Sequence, residues 1–337
     1  MGNFTNVLKY VIQRLLLSAL IIFGVSFIMY LLIRLMPLSY FDQQFAPQLS
    51  SGVMTEEDLQ HIKELYGLAD NSFFGILGGY FGWLGGVFQG DLGVSFQHGQ
   101  KVEAIIVENM GISFWISFIS LILQMLIAIP LGIKCACNQY GKFDYTVTVL
   151  CMIGMAFPSF FFGNLLIKWF AVDLGWFPSS GLASGLAPTA SWWERLLDMG
   201  WHLILPMIVL VVLSIGGLMR YTRTNTLEVL NADYIRTARA KGLSENAVIY
   251  KHAFRNTLIP LVTQLAFTLP GLFGGAMITE TVFDIPGIGQ IAYQALKVGD
   301  IPLAMGYNMF IAILTVIGIL LADIMYAVVD PRVKLGG

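Results

Sequence analysis

The side chains that most often perform catalysis or bind metals are scattered along this chain. Its four histidines are isolated, and neither an H-E-x-x-H zinc pattern nor a G-x-S-x-G nucleophile pattern occurs. The G-x-x-x-x-G-K-S/T loop that cradles phosphates is also missing, since its nearest fragment, Gly141-Lys142, lacks the first glycine and the hydroxyl residue. We therefore expect that the chain is not an enzyme and that it holds no metal and no cofactor of its own. The histidines are His61, His98, His202 and His252.

The three cysteines do not indicate a disulfide framework. None of Cys135, Cys137 and Cys151 falls in a segment that we predict to be external. The pair Cys135-x-Cys137 lacks a third and a fourth metal ligand nearby. We expect three reduced thiols with structural roles.

One segment, 220–257, concentrates charge. It carries seven Lys and Arg against three acids, a net charge of +4. Asp233 is predicted to cap a helix over Tyr234–Lys241, and Gly242 suits the left-handed position that ends a helix. Ser244 then caps a second short helix through about Phe254, and the two helices make a compact knob. On composition alone, a basic loop that only enforces topology remains an alternative. The basic residues are Arg220, Arg223, Arg236, Arg239, Lys241, Lys251 and Arg255.

The composition around this knob is that of a membrane protein. Of 337 residues, 56% are apolar and 12% are charged, and the mean hydropathy is +0.72. A soluble domain carries about 25% charged residues. About 20 apolar residues span the hydrocarbon core as a helix. We predict an all-α integral membrane protein with six spans, at 15–33, 109–133, 145–167, 199–219, 256–279 and 301–322. The first span is too long for a signal peptide and is expected to stay as an anchor.

Two further uncharged segments are not expected to cross the membrane. Segment 174–193 is rich in Pro, Ser, Gly and Thr and is predicted to be a loop. Segment 71–90 holds seven glycines, which weaken a helix. Its large residues, Tyr80, Trp83, Leu84, Val87 and Phe88, follow an amphipathic stripe. That pattern predicts a helix lying in the membrane interface.

The charges between the spans predict the topology. With both termini cytoplasmic, the internal segments 1–14, 134–144, 220–257 and 329–337 hold 13 of the 19 Lys and Arg. A seventh span at 71–90 would place the basic segment 220–257 outside, against the positive-inside rule.

The predicted organisation has four parts. An N-terminal transmembrane helix (1–36) precedes an external loop with short amphipathic helices (37–108). A five-helix body (109–330) includes the basic loop 220–257, and a cytoplasmic tail follows (331–337). In the loop, Thr55 and Asp58 are predicted to form a capping box, with Gly67 ending that helix.

Four prolines interrupt the apolar runs of the body: Pro130, Pro158, Pro206 and Pro270. They are interpreted either as kinks that shape packing or as kinks that open a path between helices.

The knob resembles the EAA loop of binding-protein-dependent ABC permeases. The run from Asp233 to Ser244, then Lys251-His-Ala-Phe-Arg-Asn256 and Leu258-Ile-Pro260, is similar to the first-named permease subunit of the dipeptide and oligopeptide subfamily. The resemblance covers nearly all of the chain. Supporting matches are Arg14 with its apolar helix, Gly90-Asp-Leu-Gly93-Val-Ser95, Glu280-Thr-Val-Phe-Asp-Ile-Pro-Gly287 and Asp330-Pro-Arg332. Three features depart from the family pattern: the late Pro260, the turn Pro37-Leu-Ser-Tyr, and the glycine-rich segment 71–90.

This resemblance implies a type I ABC importer transmembrane domain in a bacterial plasma (inner) membrane. The implied partners are a second homologous permease, two ATP-binding subunits that carry ATP and Mg²⁺, and an external substrate-binding protein. Residues implied to couple to the ATPase are Asp233, Arg236, Ala238, Arg239, Ala240, Lys241, Gly242, Leu243, Ser244, Glu245, His252, Arg255 and Asn256. Residues implied to face the binding protein are Gly90, Asp91, Gly93, Ser95, Phe283, Pro286 and Gly287.

The resemblance leaves the solute open. Di- or oligopeptides are expected, and nickel chelates, glutathione or oligosaccharides are the alternatives within the family. Gln124, Asn164 and Gln264 could line the pathway or bond a neighbouring helix. An ion-coupled carrier is the alternative from another class, but such carriers usually bury charge in mid-helix and the six runs are uncharged.

Overall fold

The computed structural model describes residues 2–34, 45–65, 72–185, 187, 189–274 and 276–329. The regular elements in these ranges are helices, and one isolated antiparallel bridge joins Val94 to Lys101. The first four helices are α1 (Gly2–Arg34), α2 (Glu56–Leu65), α3 (Phe73–Phe88) and α4 (Val102–Cys137). The next four are α5 (Lys142–Ala156), α6 (Ser159–Leu166), α7 (Trp192–Leu230) and α8 (Asp233–Ala240). The last four are α9 (Phe254–Gly274), α10 (Met277–Val282), α11 (Ile288–Val298) and α12 (Ile301–Val329). The predicted all-α class is confirmed.

Several helices have the length and apolarity of membrane spans. Within the described residues, four qualify: Ile12–Leu32, Val102–Cys137, Trp192–Leu230 and Ile301–Leu320. The pair α5 and α6, with the π-helical turn Ile167–Asp173 that continues α6, makes a fifth if it is counted as one span. The chain is therefore a multi-pass membrane protein, and the number six stays a prediction.

The apolar run at 145–167 is broken at Pro158, one of the four prolines predicted to interrupt the apolar runs. Its two halves meet at an angle of 98°. Phe157 at the break is extended (φ −76°, ψ 132°), the conformation that a following proline imposes. Pro158, which precedes α6, also has no N–H to bond back into α5. By contrast, Pro130 and Pro206 lie inside the continuous helices α4 and α7.

The chain divides into two compact units. The first consists of residues up to 111 together with 291–320, and the second contains 112–290. In the first, Tyr80 of α3 is completely buried against Phe23, Phe27 and Tyr30 of α1, at ring-centroid distances of 5.6, 5.1 and 5.6 Å. The Tyr80 hydroxyl is also hydrogen-bonded to Ser26, at 2.8 Å. This contact attaches α3 to one end of α1.

Helix α3 confirms most of the predicted stripe. Tyr80, Trp83 and Leu84 pack into one cluster, whereas Phe88 is 84% exposed. An exposed apolar residue is compatible with a helix in the membrane interface, which stays a prediction. Phe88 is the last residue of the helix, and the chain turns away at Gln89 and at Gly90, which has φ +79°.

The predicted capping box at the start of α2 is confirmed. The Thr55 hydroxyl accepts the Asp58 N–H at 3.1 Å, and the Asp58 carboxylate accepts the Thr55 N–H at 2.9 Å. Gly67, the predicted end of this helix, lies outside the described residues. The predicted loop at 174–193 is confirmed for its described residues up to Ser191, which are 174–185, 187 and 189–191. A second capping box, between Ser191 and Glu194, then starts α7, so the last two residues of the predicted loop are helical.

Candidate functional site

The knob is built from α8 and the π-helical segment Ala247–Ala253. Asp233 does not cap α8, contrary to prediction. Ala232 has the extended N-cap geometry (φ −71°, ψ 148°) and Asp233 is the first helical residue. A carboxylate in the first turn still stabilises the helix, because it faces the positive end of the helix dipole.

Gly242 ends α8 in the way its sequence position predicts. Lys241 is the C-cap, and Gly242 follows with φ +76°. The Gly242 N–H donates to the Arg239 carbonyl at 2.9 Å and the Leu243 N–H donates to the Ala238 carbonyl at 3.4 Å. A Cβ at Gly242 would meet no heavy atom within 4 Å. The requirement for glycine here is therefore conformational and not steric.

The second helix of the knob begins as predicted and ends differently. The Ser244 hydroxyl accepts the Ala247 N–H at 3.4 Å, and the Ser244 carbonyl accepts the Val248 N–H at 3.0 Å. The predicted end near Phe254 is wrong, because Phe254 keeps helical angles (φ −58°, ψ −41°) and leads directly into α9. Nothing breaks the run, since Pro260 lies well inside α9. The second helix of the knob and α9 therefore share one continuous helical backbone.

The interior of the knob is apolar and its rim is ionic. Ile235, Ala238, Val248 and Ala253 are buried together. Across Gly242, the Arg239 guanidinium donates to the Glu245 carboxylate at 2.6 and 3.2 Å. This pair holds the pKa of Glu245 below its ordinary value. The core and the ion pair keep the two helices in one arrangement.

Most of the predicted coupling residues are accessible. Ala238 is buried and His252 is half-buried. The remaining ones are exposed: Asp233, Arg236, Arg239, Ala240, Lys241, Gly242, Leu243, Ser244, Glu245, Arg255 and Asn256. They give the knob a polar, mainly basic surface.

An ion pair near this loop was missed by the sequence reasoning. Arg223 of α7 donates to Asp144 of α5 through Nε at 2.7 Å and through Nη2 at 2.6 Å. The Tyr140 N–H donates to the same carboxylate at 3.0 Å, from a backbone with φ +61°. Asp144 is the only acid in the segment 134–144 and begins an apolar run, which was the available signal.

The turn at Gly90–Ser95 is organised around a buried carboxylate. Gly90 and Gly93 have φ +79° and +93°, and Asp91 accepts the Gly93 N–H at 3.0 Å. The buried Ser95 hydroxyl donates to Asp300, which also accepts the Gln97 N–H at 3.0 Å. Of the predicted binding-protein residues here, Gly90 and Asp91 are exposed, Gly93 is half-buried and Ser95 is buried.

The turn at 280–290 is organised in the same way. Glu280 is completely buried and accepts hydrogen bonds from Ser113 Oγ at 2.7 Å and from the Gln290 N–H at 2.9 Å. A Cβ on Gly287 would lie 2.5 Å from the Glu280 carboxyl group. Phe283 is 2% exposed. Phe283 and Gly287 are therefore interior residues, and Pro286 is the exposed member of this predicted group.

The structure does not bring the three candidate pathway residues into contact. Gln124 donates to Ser120 at 3.1 Å, and Asn164 donates to the Phe160 carbonyl at 2.8 Å, each within its own helix. Gln264 is exposed on α9.

The cysteines and the other titratable groups show no metal-site geometry in the ranges described. All three cysteines are free thiols. No three His, Cys, Asp or Glu side chains of the described residues are grouped closely enough to hold an ion. His202 is buried and bonds the Asp198 carbonyl at 2.8 Å.

Comparisons with known proteins agree with this architecture. The model of the family described as binding-protein-dependent transport system inner membrane component matches residues 128–335. Oligopeptide transport system permease protein AppB of Bacillus subtilis is 37% identical over 96% of this chain and 99% of its own. A putative peptide permease of Brucella suis is 33% identical over 97% of this chain and 99% of its own. The oligopeptide permease OppB of Haemophilus influenzae is 30% identical over the same shares.

A solved structure supports the fold. The inward-facing MetNI methionine ABC transporter matches with a TM-score of 0.50 and 20% identity, over 68% of this chain and 97% of that one. At this identity the match shows the fold alone, a type I importer permease. The three relatives above are named as permease proteins. This chain belongs to the family of binding-protein-dependent transport system inner membrane components, the permeases of ABC importers.

Proposed function

We propose that this chain is one of two permease subunits of an importer that carries di- or oligopeptides across a bacterial plasma membrane. The observation that carries the proposal is the knob, in which two helices meet at the left-handed Gly242 and present an exposed basic surface. The peptide substrate is inferred from the relatives. They are named oligopeptide or peptide permeases, and they match this chain over nearly their whole lengths.

The knob acts as the coupling element in this proposal. It sits in a cleft of a partner ATPase, and ATP with Mg²⁺ is bound and hydrolysed on that partner. The buried cluster around Ile235 and Val248 makes the knob stiff enough to move as one piece. Its second helix continues into α9, so a displacement by the ATPase reaches the membrane part without an intervening loop.

The remaining assembly follows from the same function. A second homologous permease completes the pathway, two ATP-binding subunits lie at the cytoplasmic side, and an external binding protein delivers the peptide. The chain crosses the membrane six times with both termini in the cytoplasm. Exposed residues of the turns at Gly90–Ser95 and at 280–290, such as Asp91 and Pro286, face the binding protein.

Reconstitution of the purified transporter tests this function. The permease pair and its ATPases are reconstituted in liposomes, and the population with the ATPases in the lumen is assayed. These liposomes should accumulate a labelled oligopeptide only when ATP is in the lumen and the binding protein is outside. Accumulation driven by an ion gradient without ATPases would establish a secondary carrier and refute the proposal. ATP-dependent uptake of nickel chelates, glutathione or oligosaccharides, with no peptide uptake, would refute the substrate class alone.

A further inference from the structure

An apolar groove opens between α1 and α12 in the first unit, beginning at Arg14. Its volume is about 400 Å³. Leu17, Ile21, Ile311 and Ala312 are among the apolar residues that line it. Arg14 is the one charged residue in the lining.

Among its described side chains, helix α1 packs against α3 between Phe23 and Tyr30. From Phe23 to Tyr30 it contacts the buried Tyr80 of α3. Towards the other end, Leu16 and Leu20 are each 66% exposed. In the 18-residue apolar stretch of this span, only 17% is buried, whereas the corresponding stretches of the other three long spans are 28%, 44% and 39% buried. The groove occupies this poorly packed end.

We propose that the groove is a binding site for one anionic phospholipid, with an acyl chain along α1 and α12 and the phosphate at Arg14. The dimensions fit one leaflet. From Arg14 to Val25, the far end of the groove on α1, a helix rises about 16 Å at 1.5 Å per residue. Half of a hydrocarbon core of about 30 Å is about 15 Å. Arg14 therefore lies at headgroup depth when Val25 lies near the midplane.

Two polar side chains of the groove wall are hydrogen-bonded within their own helix, which favours a hydrocarbon occupant. The Asn308 amide donates to the Ala304 carbonyl at 2.7 Å, and the Thr315 hydroxyl donates to the Ile311 carbonyl at 2.7 Å. A peptide in the groove would lose hydrogen bonds to water and find few in return.

Charge selects the headgroup. A guanidinium has five N–H donors in a planar fork that matches phosphate, so Arg14 can hold a protein acceptor and a phosphate together. Lys9 lies earlier in the same helix and adds positive charge at that end. A basic residue at the membrane surface therefore prefers a lipid with net negative charge over a zwitterionic one.

A helix of a partner protein is the competing occupant of this groove, and the lipid-retention experiment distinguishes it from a phospholipid.

Lipid retention by the purified transporter, with its second permease and ATPases, tests the site. The complex is delipidated in mild detergent, supplied with equal amounts of phosphatidylglycerol and phosphatidylcholine, and analysed by native mass spectrometry. Wild type should retain one phosphatidylglycerol per chain, with a preference of about fivefold over phosphatidylcholine. Arg14→Gln should remove the preference and Arg14→Lys should keep most of it. Ala312→Phe, which fills the groove, should abolish retention, and the control Leu16→Phe, outside the lining, should not.

Two results would overturn the proposal. Equal retention of both lipids by wild type and Arg14→Gln would mean unselective surrounding lipid. Loss of the second permease from the complex in Ala312→Phe, with lipid still retained on the isolated chain, would mean that a protein covers this face.

Discussion

Arg223 of α7 and Asp144 of α5 form a bidentate ion pair, with both N···O distances at or below 2.7 Å. Asp144 is buried and the Arg223 side chain is 21% exposed. The same carboxylate holds the Tyr140 N–H. One carboxyl group therefore connects the turn before α5 to the part of α7 that leads into the knob.

Asp144→Asn should destabilise the chain strongly, because it leaves a mostly buried guanidinium without its counter-charge. Breaking such a pair costs about 3–5 kcal/mol. Thermal unfolding of the purified permease measures this cost. The matched control is Asp173→Asn, which breaks the exposed Lys168–Asp173 pair at 3.0 Å and should cost about 0–1 kcal/mol. Equal effects of the two variants would contradict a structural role for the Asp144 pair.

Gly242→Val should keep expression and membrane insertion but abolish uptake. A Cβ at φ +76° costs roughly 1–2 kcal/mol, more if β-branched, and the open space around it excludes a steric cause. The strain redirects the second helix of the knob relative to the ATPase. Uptake and ATPase co-purification are the measurements, and Gly242→Asn should be milder.

A second glycine provides the control for that experiment. Gly52 has φ +72° and equally open surroundings, so Gly52→Val introduces the same strain far along the chain from the knob. It should leave uptake intact. If both valine variants lose uptake, general instability explains the result; if Gly242→Val stays active, the knob is not the coupling element.

Gly287→Ala should impair folding and not docking. Its methyl group would lie 2.5 Å from the Glu280 carboxyl group and 2.6 Å from Ser113 Oγ. Overpacking of this kind costs about 1–3 kcal/mol. Thermal unfolding and yield should fall, whereas Gly271→Ala in α9, with no atom within 4 Å, should be neutral. An unchanged melting temperature for Gly287→Ala would show that the turn relaxes easily.

Pro286→Arg should weaken uptake at low binding-protein concentration and leave the complex intact, because Pro286 is exposed within a candidate docking turn. Phe283→Ala, three residues away, should unfold the same turn instead, at a cost of about 3–5 kcal/mol, since Phe283 is buried. Uptake is measured at increasing concentrations of binding protein. Excess binding protein should overcome the docking defect of Pro286→Arg but not the folding defect of Phe283→Ala. Normal uptake by Pro286→Arg at every concentration would remove this turn from the docking surface.

Cysteines at Ser51 and Ser244 should label oppositely on intact cells. Both positions are exposed, so accessibility within the chain does not bias the comparison. The three native cysteines are replaced first, because Cys137 is exposed. An impermeant thiol reagent should modify the residue at 51 and not the one at 244. Equal labelling would refute the six-span topology.

The sequence alone determined the features that depend on local chemistry. Long uncharged runs predicted the apolar helices, because hydrocarbon excludes charge and unpaired backbone groups. The Thr55–Asp58 box and the left-handed Gly242 were also predictable, since a cap or a positive φ is decided within a few residues. The motif around the knob was sufficient to indicate the family.

Only the tertiary structure decided which polar groups are interior. Asp144 with Arg223, and Asp300 with Ser95, are pairs separated by 79 and 205 residues. Glu280 contacts Ser113 across 167 residues. Spacing along the chain carries no information on such pairs, because they form only when helices pack. For the same reason Phe283 and Gly287, which looked like surface residues of a glycine-rich turn, are interior. Phe283 packs in an apolar cluster with Leu166 and Ile285, and Gly287 lies against the buried Glu280 carboxyl group.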